Sequence, residues 1–189
     1  MSGNCAVSPE FAVAIVGSGC AGLTLGHHLT ETGKGPIAII DPSASRPDHT
    51  WGYWDDGSKD LALARTLTEA TWRKWAIIGS SSKVLLKGDK FIYRAISSSR
   101  FENHLRATMP TVSHLRGRVV SATCQNFSYL LETNKGNYFH ATRVFDSRTP
   151  SIPKGALLQH FVGWRICTKS SKFDPNTAIL MDFRVPQNL

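Results

Sequence analysis

The 189-residue sequence lacks several features that would assign it to familiar classes of protein. No apolar run approaches the roughly 20 residues that a helix needs to cross a bilayer. The first ten residues show no basic segment followed by a long apolar stretch, so no signal peptide is predicted. Basic residues form no run longer than the pair at 73–74, and no nucleic-acid recognition motif is present. We therefore expect a cytoplasmic protein that has no nucleic-acid partner.

Motifs for metal binding and for nucleophilic catalysis are also missing. The four cysteines, at positions 5, 20, 124 and 167, form no CxxC pair, and the seven histidines show no metal-ligand spacing. No G-x-S-x-G elbow is present. We predict reduced thiols and no metal site, since widely spaced cysteines without a pairing pattern fit a reducing compartment.

Charge and composition leave the partner open. Hydrophobic residues make up 41% of the chain and charged residues 19%, as is typical of a folded soluble protein. The formal net charge is +8, and the basic residues are scattered. A diffuse positive field suits an anionic membrane surface, but a basic solvated surface explains it equally well.

The strongest pattern lies between Phe11 and Asp41. An apolar segment at 11–16 is followed by a glycine turn, a helical pattern at 21–32, two glycines and a second apolar segment at 36–40. This order is typical of a βαβ unit with parallel strands. The predicted fold class is therefore α/β, with a Rossmann-like dinucleotide-binding unit at its beginning.

The turn after the first strand fits the pattern G-x-G-x-x-G. In dinucleotide sites the first glycine permits the tight turn, the second lets a pyrophosphate approach the backbone, and the third allows close helix–strand packing. Asp41 ends the second strand, where a carboxylate can bind ribose hydroxyls. The predicted cofactor-binding residues are Gly17, Ser18, Gly19, Cys20, Ala21, Gly22 and Asp41.

The remaining patterns predict further helices and strands. Leu61–Ile78 has a mostly helical pattern, 84–96 predicts one or two strands, and a helix is expected from Ser99 to just before Pro110. Strand-like segments at 119–124, 127–133 and 138–144 predict a β-meander that leads to Asp146, and 161–167 and 178–185 predict two more strands. A meander that returns to an acidic strand end favours FAD over a nicotinamide dinucleotide.

The segment His49–Asp56 concentrates aromatic and acidic side chains. Trp and Tyr rings can pack as apolar surface, and their faces can also stabilise a cation. Asp55 and Asp56 would point to opposite sides of a strand and are not a ready acid/base pair. A packed loop with solvated acids explains the segment as well as catalysis does. The candidate catalytic contributors are His49, Trp51, Asp55 and Asp56.

Several motifs occur together in a fixed order along the chain. They are GSGCAG at 17–22 with Asp41, Asp48-His49-Thr50-Trp51 with Asp55-Asp56, ISSSRFENHL at 96–105, VFDSR at 144–148, FVGW at 161–164 and AILMDF at 178–183. In these motifs the sequence resembles the bacterial-type lycopene cyclases, which are flavoproteins of carotenoid biosynthesis.

The resemblance implies a domain organisation and a reaction. It implies a Rossmann-like FAD-binding domain with an inserted β-meander over 11–158, with Arg100 and Asp146 near the cofactor, and the beginning of a substrate-binding β-sheet domain over 159–189. The linear ψ end groups of lycopene, or of a related linear carotene, would be cyclised to β-ionone rings. An acid protonates the end group and a base removes a proton. The reaction is redox-neutral but requires reduced FAD, with NAD(P)H as a candidate reductant.

Two departures from the family pattern limit this expectation. Family members are longer, and their acidic Phe-x-Glu-Glu-Thr-type motif has no counterpart here, so the catalytic acid and base are unassigned and little or no cyclase activity is expected of this chain alone. Ser147 stands where the family has glycine. The alternatives are another FAD-dependent oxidoreductase, such as a monooxygenase or a geranylgeranyl-reductase-like flavoprotein, and a non-catalytic remnant. Because lycopene is insoluble, peripheral contact with the inner face of the membrane is expected.

Overall fold

A computed structural model describes residues 10–43, 47–125, 127–148, 152–157, 163–164, 166–170 and 172–185. The chain divides into two compact units, and each unit draws on two stretches of sequence. The first unit comprises Met1–Asp48 and Ser98–Ser151, and the second comprises His49–Ser97 and Ile152–Leu189. The domain boundary predicted between residues 158 and 159 lies outside the described residues.

The described residues contain twelve strands and three α-helices. In chain order they are β1 (Phe11–Val16), α1 (Cys20–Glu31), β2 (Ile37–Asp41), β3 (Thr50–Asp55), α2 (Ala62–Thr66), β4 (Ala70–Trp72), β5 (Lys74–Ile78), β6 (Lys83–Lys87), β7 (Ile92–Ser97), α3 (Ser98–Thr108), β8 (Ser113–Arg116), β9 (Val119–Gln125), β10 (Ser128–Thr133), β11 (Tyr138–Asp146) and β12 (Thr177–Asp182). A 3₁₀ turn at Lys59–Leu61 precedes α2. None of the described helices is long and apolar enough to span a membrane.

The first unit is built on a six-stranded sheet with the order β8-β2-β1-β11-β10-β9. The four strands β8, β2, β1 and β11 are parallel, and β9, β10 and β11 form an antiparallel meander. Val16 pairs with Ile40 on one side and with Asp146 on the other, so the carboxyl ends of three strands meet at one edge. The predicted α/β fold with an inserted meander is confirmed.

The central strands are apolar along their whole length because both faces of the sheet are covered. On one face, Ile15 and Ile39 are buried, and Gly26 brings α1 close to the sheet. A Cβ on Gly26 would lie 2.9 Å from Cδ1 of Ile39 and 3.4 Å from the sulfur of Met109. On the other face, a buried cluster includes Ala14, Val16, Ile40, Val119 and Leu131. The meander thus supplies part of the core on that side.

The second unit contains two three-stranded sheets, with the orders β3-β7-β4 and β12-β5-β6. The first is antiparallel, and in the second β12 runs parallel to β5 while β6 runs antiparallel to it. The strands predicted within 84–96 are confirmed as β6 and β7, and the strand predicted at 178–185 is confirmed as β12 over 177–182. Of the strand predicted at 161–167, residues 163–164 and 166–167 are described and do not lie in a strand, and the remaining three lie outside the described residues.

The prediction that Leu61–Ile78 is mostly helical is wrong. Only Ala62–Thr66 forms an α-helix, and the segment continues as β4 and β5. Both strands contain the aromatic and β-branched residues that fit a pleated surface. Their pairing with β7 and β12 outweighs the weak helical periodicity. The helix predicted from Ser99 begins at Ser98 and, as predicted, ends before Pro110.

Candidate functional site

The glycine turn between β1 and α1 has a shape that side chains would disrupt. Gly17 has a φ of 105°, a conformation that residues with a side chain rarely adopt. A Cβ on Gly17 would also collide with the Oγ of Ser147, and a Cβ on Gly22 would collide with the carbonyl oxygen of Gly17. The first and third glycines of the motif are therefore required by the fold itself.

The turn leads directly into the N-terminus of α1. Gly19 is the N-cap residue, and the helix continues for 12 residues from Cys20. The first N–H groups of a helix have no partner within it, and the helix dipole makes this end positive, so anions bind here. The first turn contains no acidic residue that would repel an anion. Cys20, Ala21 and Gly22 lie in this turn, as the motif predicted.

Asp41 joins the end of β2 to the glycine turn. Its side chain is buried, with 7% exposure, and its Oδ2 accepts a hydrogen bond of 2.8 Å from the backbone N–H of Ser18. Its Oδ1 accepts a bond of 2.9 Å from the N–H of Ser43. The structure thus brings two sequence-predicted residues, Ser18 and Asp41, into direct contact. A carboxylate at the carboxyl end of a parallel strand is also well placed to accept hydrogen bonds from hydroxyl groups.

A cavity of about 570 Å³ opens beside the turn. It lies at the carboxyl ends of β1 and β2, which is where open α/β sheets bind their ligands. Its walls combine the glycine turn and Asp41 with residues from the meander. The lining residues are Val16, Gly17, Gly19, Ile40, Asp41, Pro42, Arg118, Val119, Ser147 and Arg148.

Ser147 closes one side of this cavity and was not predicted to take part in the site. Its hydroxyl donates a hydrogen bond of 2.6 Å to the carbonyl oxygen of Val16, and its backbone N–H donates one of 3.1 Å to the same atom. The end of β11 is thereby attached to the residue just before the glycine turn. The sequence signal was the departure from the family's glycine at this position.

Arg106 supports the glycine turn from α3 and was also missed. Its Nη2 donates to the Oγ of Ser18 at 3.3 Å, and its Nε donates to Glu102 at 2.9 Å. Its Nη1 lies 2.8 Å from Nδ1 of His114. Burial, and then the positive charge of Arg106, lowers the pKa of His114, so the imidazole is neutral and can accept this bond. The spacing of Glu102 and Arg106 was the only local signal of the cluster.

The two other predicted cofactor residues lie outside the lining of this cavity. Asp146 ends β11 and forms a bond of 2.6 Å with Nη2 of Arg148, whose guanidinium holds the pKa of this carboxyl below its usual range. Arg148 also donates to the carbonyl oxygen of Val119 at 3.0 Å. Arg100 is exposed in the first turn of α3. Cofactor contacts of Asp146 and Arg100 stay predictions.

In the second unit, Asp55 is the centre of a buried ion cluster. Its side chain is 3% exposed, and its Oδ2 accepts bonds from Nε of Arg94 at 2.7 Å and from Nε of Arg65 at 3.0 Å. Burial raises the pKa of this carboxyl, but hydrogen bonds from the N–H of Gly57 and from both arginines outweigh burial and hold the pKa below its usual range. Asp55 is therefore ionised at neutral pH, and the geometry favours a structural role.

The neighbouring candidates are arranged differently. Asp56 is exposed, and hydrogen bonds from Ser58 lower the pKa of its carboxyl. Trp51 lies half-buried in β3, and His49 is exposed just before that strand. A catalytic role for these residues stays a prediction. Within the described part of the chain, no three His, Cys, Asp or Glu side chains converge on a point that could hold a metal ion.

Together, the doubly covered parallel sheet and the glycine turn beside Asp41 define an α/β fold of the dinucleotide-binding type. The model of the family described as "Lycopene cyclase protein" matches residues 12–189. The chain belongs to the lycopene cyclase family. No curated protein sequence matches it.

Solved structures with a similar fold include enzymes whose descriptions name FAD. p-Nitrophenol 4-monooxygenase PnpA from Pseudomonas putida DLL-E4 is 14% identical, with a TM-score of 0.61 over 72% of this chain and 40% of its own. A putative FAD-containing monooxygenase from Photorhabdus luminescens subsp. laumondii TTO1 is 16% identical, with a TM-score of 0.54 over 71% and 38%. A variant of the halogenase PltM in complex with FAD is 10% identical, with a TM-score of 0.57 over 74% and 34%. The chain thus spans less than half the length of these proteins, and the likeness shows the fold.

The Asp55 cluster generates a prediction about stability. We expect Asp55→Asn to lower the free energy of unfolding by about 3 kcal/mol at neutral pH, because two partly buried arginines lose their counter-charge. The folded state lowers the pKa of Asp55, so its contribution is complete above the unfolded-state pKa of about 3.9 and is lost as the pH falls through the folded-state value. Urea denaturation followed by circular dichroism should therefore show a difference between wild type and variant that shrinks below about pH 4.

The adjacent, exposed Asp56 provides the matched control. Asp56→Asn should change the urea midpoint much less than Asp55→Asn, because within the described part of the chain the Asp56 carboxylate accepts hydrogen bonds only from its own turn, at Ser58. Equal midpoints for the two variants would contradict the structural role of the Asp55 cluster.

Proposed function

We propose that this chain is the cofactor-binding part of a lycopene β-cyclase. Such an enzyme converts the linear ψ end groups of lycopene, or of a related linear carotene, into β-ionone rings. The observation that carries the proposal is the glycine turn beside Asp41 in a chain that belongs to the lycopene cyclase family. The cofactor we propose is FAD in its reduced form, with NAD(P)H as a candidate reductant.

The residues of the first unit fit FAD. The N–H groups at the start of α1 and the side-chain-free surface of Gly17 and Gly19 suit a pyrophosphate, and the carboxylate of Asp41 suits ribose hydroxyls. The β-meander and the flavoenzymes that share this fold support FAD over a nicotinamide dinucleotide. Arg100 and Asp146 are proposed to contact the cofactor from the first turn of α3 and from the end of β11.

The proposed reaction is an isomerisation. One proton is added to the terminal double bond of the end group, the resulting carbocation closes the ring, and one proton is lost again, so that atoms and electrons balance. Reduced FAD would supply negative charge near the developing cation. Negative charge placed where the cation forms lowers the activation barrier of such a reaction.

The two acidic candidates of this chain are poorly suited to donate the proton. Asp55 and Asp56 both have a lowered pKa, so neither holds a proton ready for donation at neutral pH. His49 and Trp51 remain candidates, the first for proton transfer and the second for contact with a cation. The acid and the base of the reaction are not assigned.

A second candidate is another FAD-dependent oxidoreductase. It is favoured by the two monooxygenases among the proteins of similar fold. An oxidoreductase such as a monooxygenase or a geranylgeranyl-reductase-like enzyme would consume NAD(P)H in proportion to its product. A cyclase needs NAD(P)H only to reduce the flavin once, and a non-catalytic remnant would form no product at all.

We also propose peripheral contact with the cytoplasmic face of a membrane, since lycopene dissolves in lipid and not in water. The hairpin of β5 and β6 supports this proposal. Its residues 73–91 contain five basic side chains and one acidic one, and every residue of β6 is exposed. The exposed apolar side chains of β6 are Val84, Leu85 and Leu86. Anionic phospholipid would attract the basic groups and accept the apolar ones.

Pigment analysis tests the proposed reaction. The full gene to which this chain belongs, expressed in bacteria that accumulate lycopene, should convert the linear pigment to carotenes with β-ionone rings, whereas little or no conversion is expected of the 189-residue chain alone. The conversion should consume no stoichiometric NAD(P)H in extracts. If a folded, flavin-loaded product of the gene leaves lycopene unchanged, the cyclase proposal fails. Product formation that tracks NAD(P)H consumption would favour the oxidoreductase instead.

Flavin binding tests the cofactor site separately. We expect Gly19→Val to weaken FAD binding at least about 100-fold, or about 2.7 kcal/mol, because the new side chain fills space at the wall of the cavity. The backbone angles of Gly19, a φ of −74° and a ψ of −175°, suit any residue, so the fold should survive. Fluorescence titration with FAD measures the effect. Gly79→Val, in the loop after β5, is the control, and equal affinities of the two variants would contradict the site.

Vesicle binding tests the membrane contact. The chain should sediment with phosphatidylglycerol vesicles and much less with phosphatidylcholine vesicles. Replacing Lys83 and Lys87 by glutamine should weaken this binding about 30-fold, since each basic residue near an anionic surface contributes about 1 kcal/mol. The same change at the exposed Lys34 and Lys135 of the first unit is the control. An equal loss in both double variants would show a general charge effect and would overturn the assignment to the hairpin.

A further inference from the structure

The second unit contains an apolar recess of about 680 Å³ on one face of the sheet β3-β7-β4. The strand register explains its shape. Gly52, Ala95 and Ala70 form one cross-strand row, and Trp54, Tyr93 and Trp72 form the next row on the same face. Residues that pair across strands point to the same side of a sheet, so three small residues lie beside three aromatic rings.

Gly52 makes room for the ring of Tyr93 at the wall of this recess. A Cβ at this position would collide with the hydroxyl of Tyr93 and would lie 2.7 Å from its Cζ. The ring of Tyr93 therefore lies over Gly52 itself, which is exposed and has no side chain to oppose it. Any larger residue would have to displace the ring.

The aromatic rings hold one another in place. The ring centroid of Tyr93 lies 4.9 Å from that of Trp54 and 5.9 Å from that of Trp72. Trp54 also contacts Trp75 edge to face, at 4.7 Å. Such contacts fix the orientation of the ring faces, and a fixed ring face attracts positive charge.

The other side of the recess comes from the segment around β12 and from β6. Phe173, Pro175, Ala178 and Ile179 line it with apolar groups, and Lys83 contributes its long side chain. The carboxylate of Asp174 accepts hydrogen bonds from the N–H of Asn176 at 2.9 Å and from the hydroxyl of Thr177 at 2.7 Å. Its charge is thus engaged within its own turn.

We propose that this recess binds one acyclic end of a linear isoprenoid hydrocarbon, with the rings of Tyr93 and Trp72 facing the carbon at which positive charge develops. The proposal rests on the proposed function for the choice of ligand. The recess is within the range of about 300–1,000 Å³ that is usual for small-molecule sites, and its lining is mainly apolar and aromatic. Gly52 leaves the space that the Tyr93 ring occupies, so it fixes the position of that ring at the wall of the recess.

Equilibrium dialysis of pseudoionone, a small ketone with the same acyclic end group, tests the proposal on the full chain. Wild type should bind pseudoionone saturably, and Gly52→Val should weaken the binding at least about tenfold. Thr71→Val is the matched control, because Thr71 pairs with Arg94 on the opposite face of the same sheet. Tyr93→Phe should keep the affinity and Tyr93→Leu should lose it, since the ring and not the hydroxyl makes the contact.

Three results would overturn the proposal: no saturable binding to wild type, equal binding by Gly52→Val and Thr71→Val, or full affinity in Tyr93→Leu. Circular dichroism identifies a variant that fails to fold, and Trp72→Leu at the same wall then replaces it, with the same tenfold loss expected. FAD titration of the same samples separates the two hypotheses. A chain that binds FAD but not pseudoionone refutes the recess alone, whereas a chain that fails to bind FAD refutes the cofactor site.

Discussion

The glycine turn that connects β1 to α1 has space for backbone atoms only, and the first unit depends on this constraint. A Cβ on Gly22 would collide with the carbonyl oxygen of Gly17, and a Cβ on Gly17 would collide with the hydroxyl of Ser147. The carboxylate of Asp41 and the hydroxyl of Ser147 attach the ends of the two neighbouring strands to this turn. Because β1, β2 and β11 are parallel, all of these contacts fall at one edge of the sheet, and the start of α1 faces the same cavity.

The parts of the fold that could be predicted are those in which local pattern and burial agree. The continuous apolar segments became β1 and β2, which are buried on both faces, and the turn at 134–137 joined two strands of a meander. The segment 61–78 was misassigned because its apolar residues fit both the helical and the strand period. Strand pairing with β7 and β12 decided it, and pairing partners are not visible in a local pattern. The short β8, with its polar and half-exposed residues, gave no signal of a strand.

The same division holds for the site. Ser18 and Asp41 were found because their motif is a property of one βαβ unit. Ser147 and Arg106 reach the turn from 131 and 88 residues away along the chain. The local signals, a departure from the family's glycine and a spacing of four residues between Glu102 and Arg106, do not identify that contact. Asp55 was a catalytic candidate by composition alone. The two arginines that hold its charge lie 10 and 39 residues further on, and they make a buried structural ion cluster the better interpretation.

By itself, the sequence determined the order of the first strands and helix and the need for glycine at the turn between them. It also indicated the class of ligand that such a turn accepts, and it showed the resemblance to the family to which the chain belongs. Only the tertiary structure decided which acids are held by arginine, which residues line the cavity beside the glycine turn, and that small and aromatic residues share one sheet face beside Gly52. The physical reason is the range of the interactions. A glycine turn is determined by backbone geometry over a few residues, whereas ion pairs and the walls of a recess depend on strand register between segments far apart in the chain.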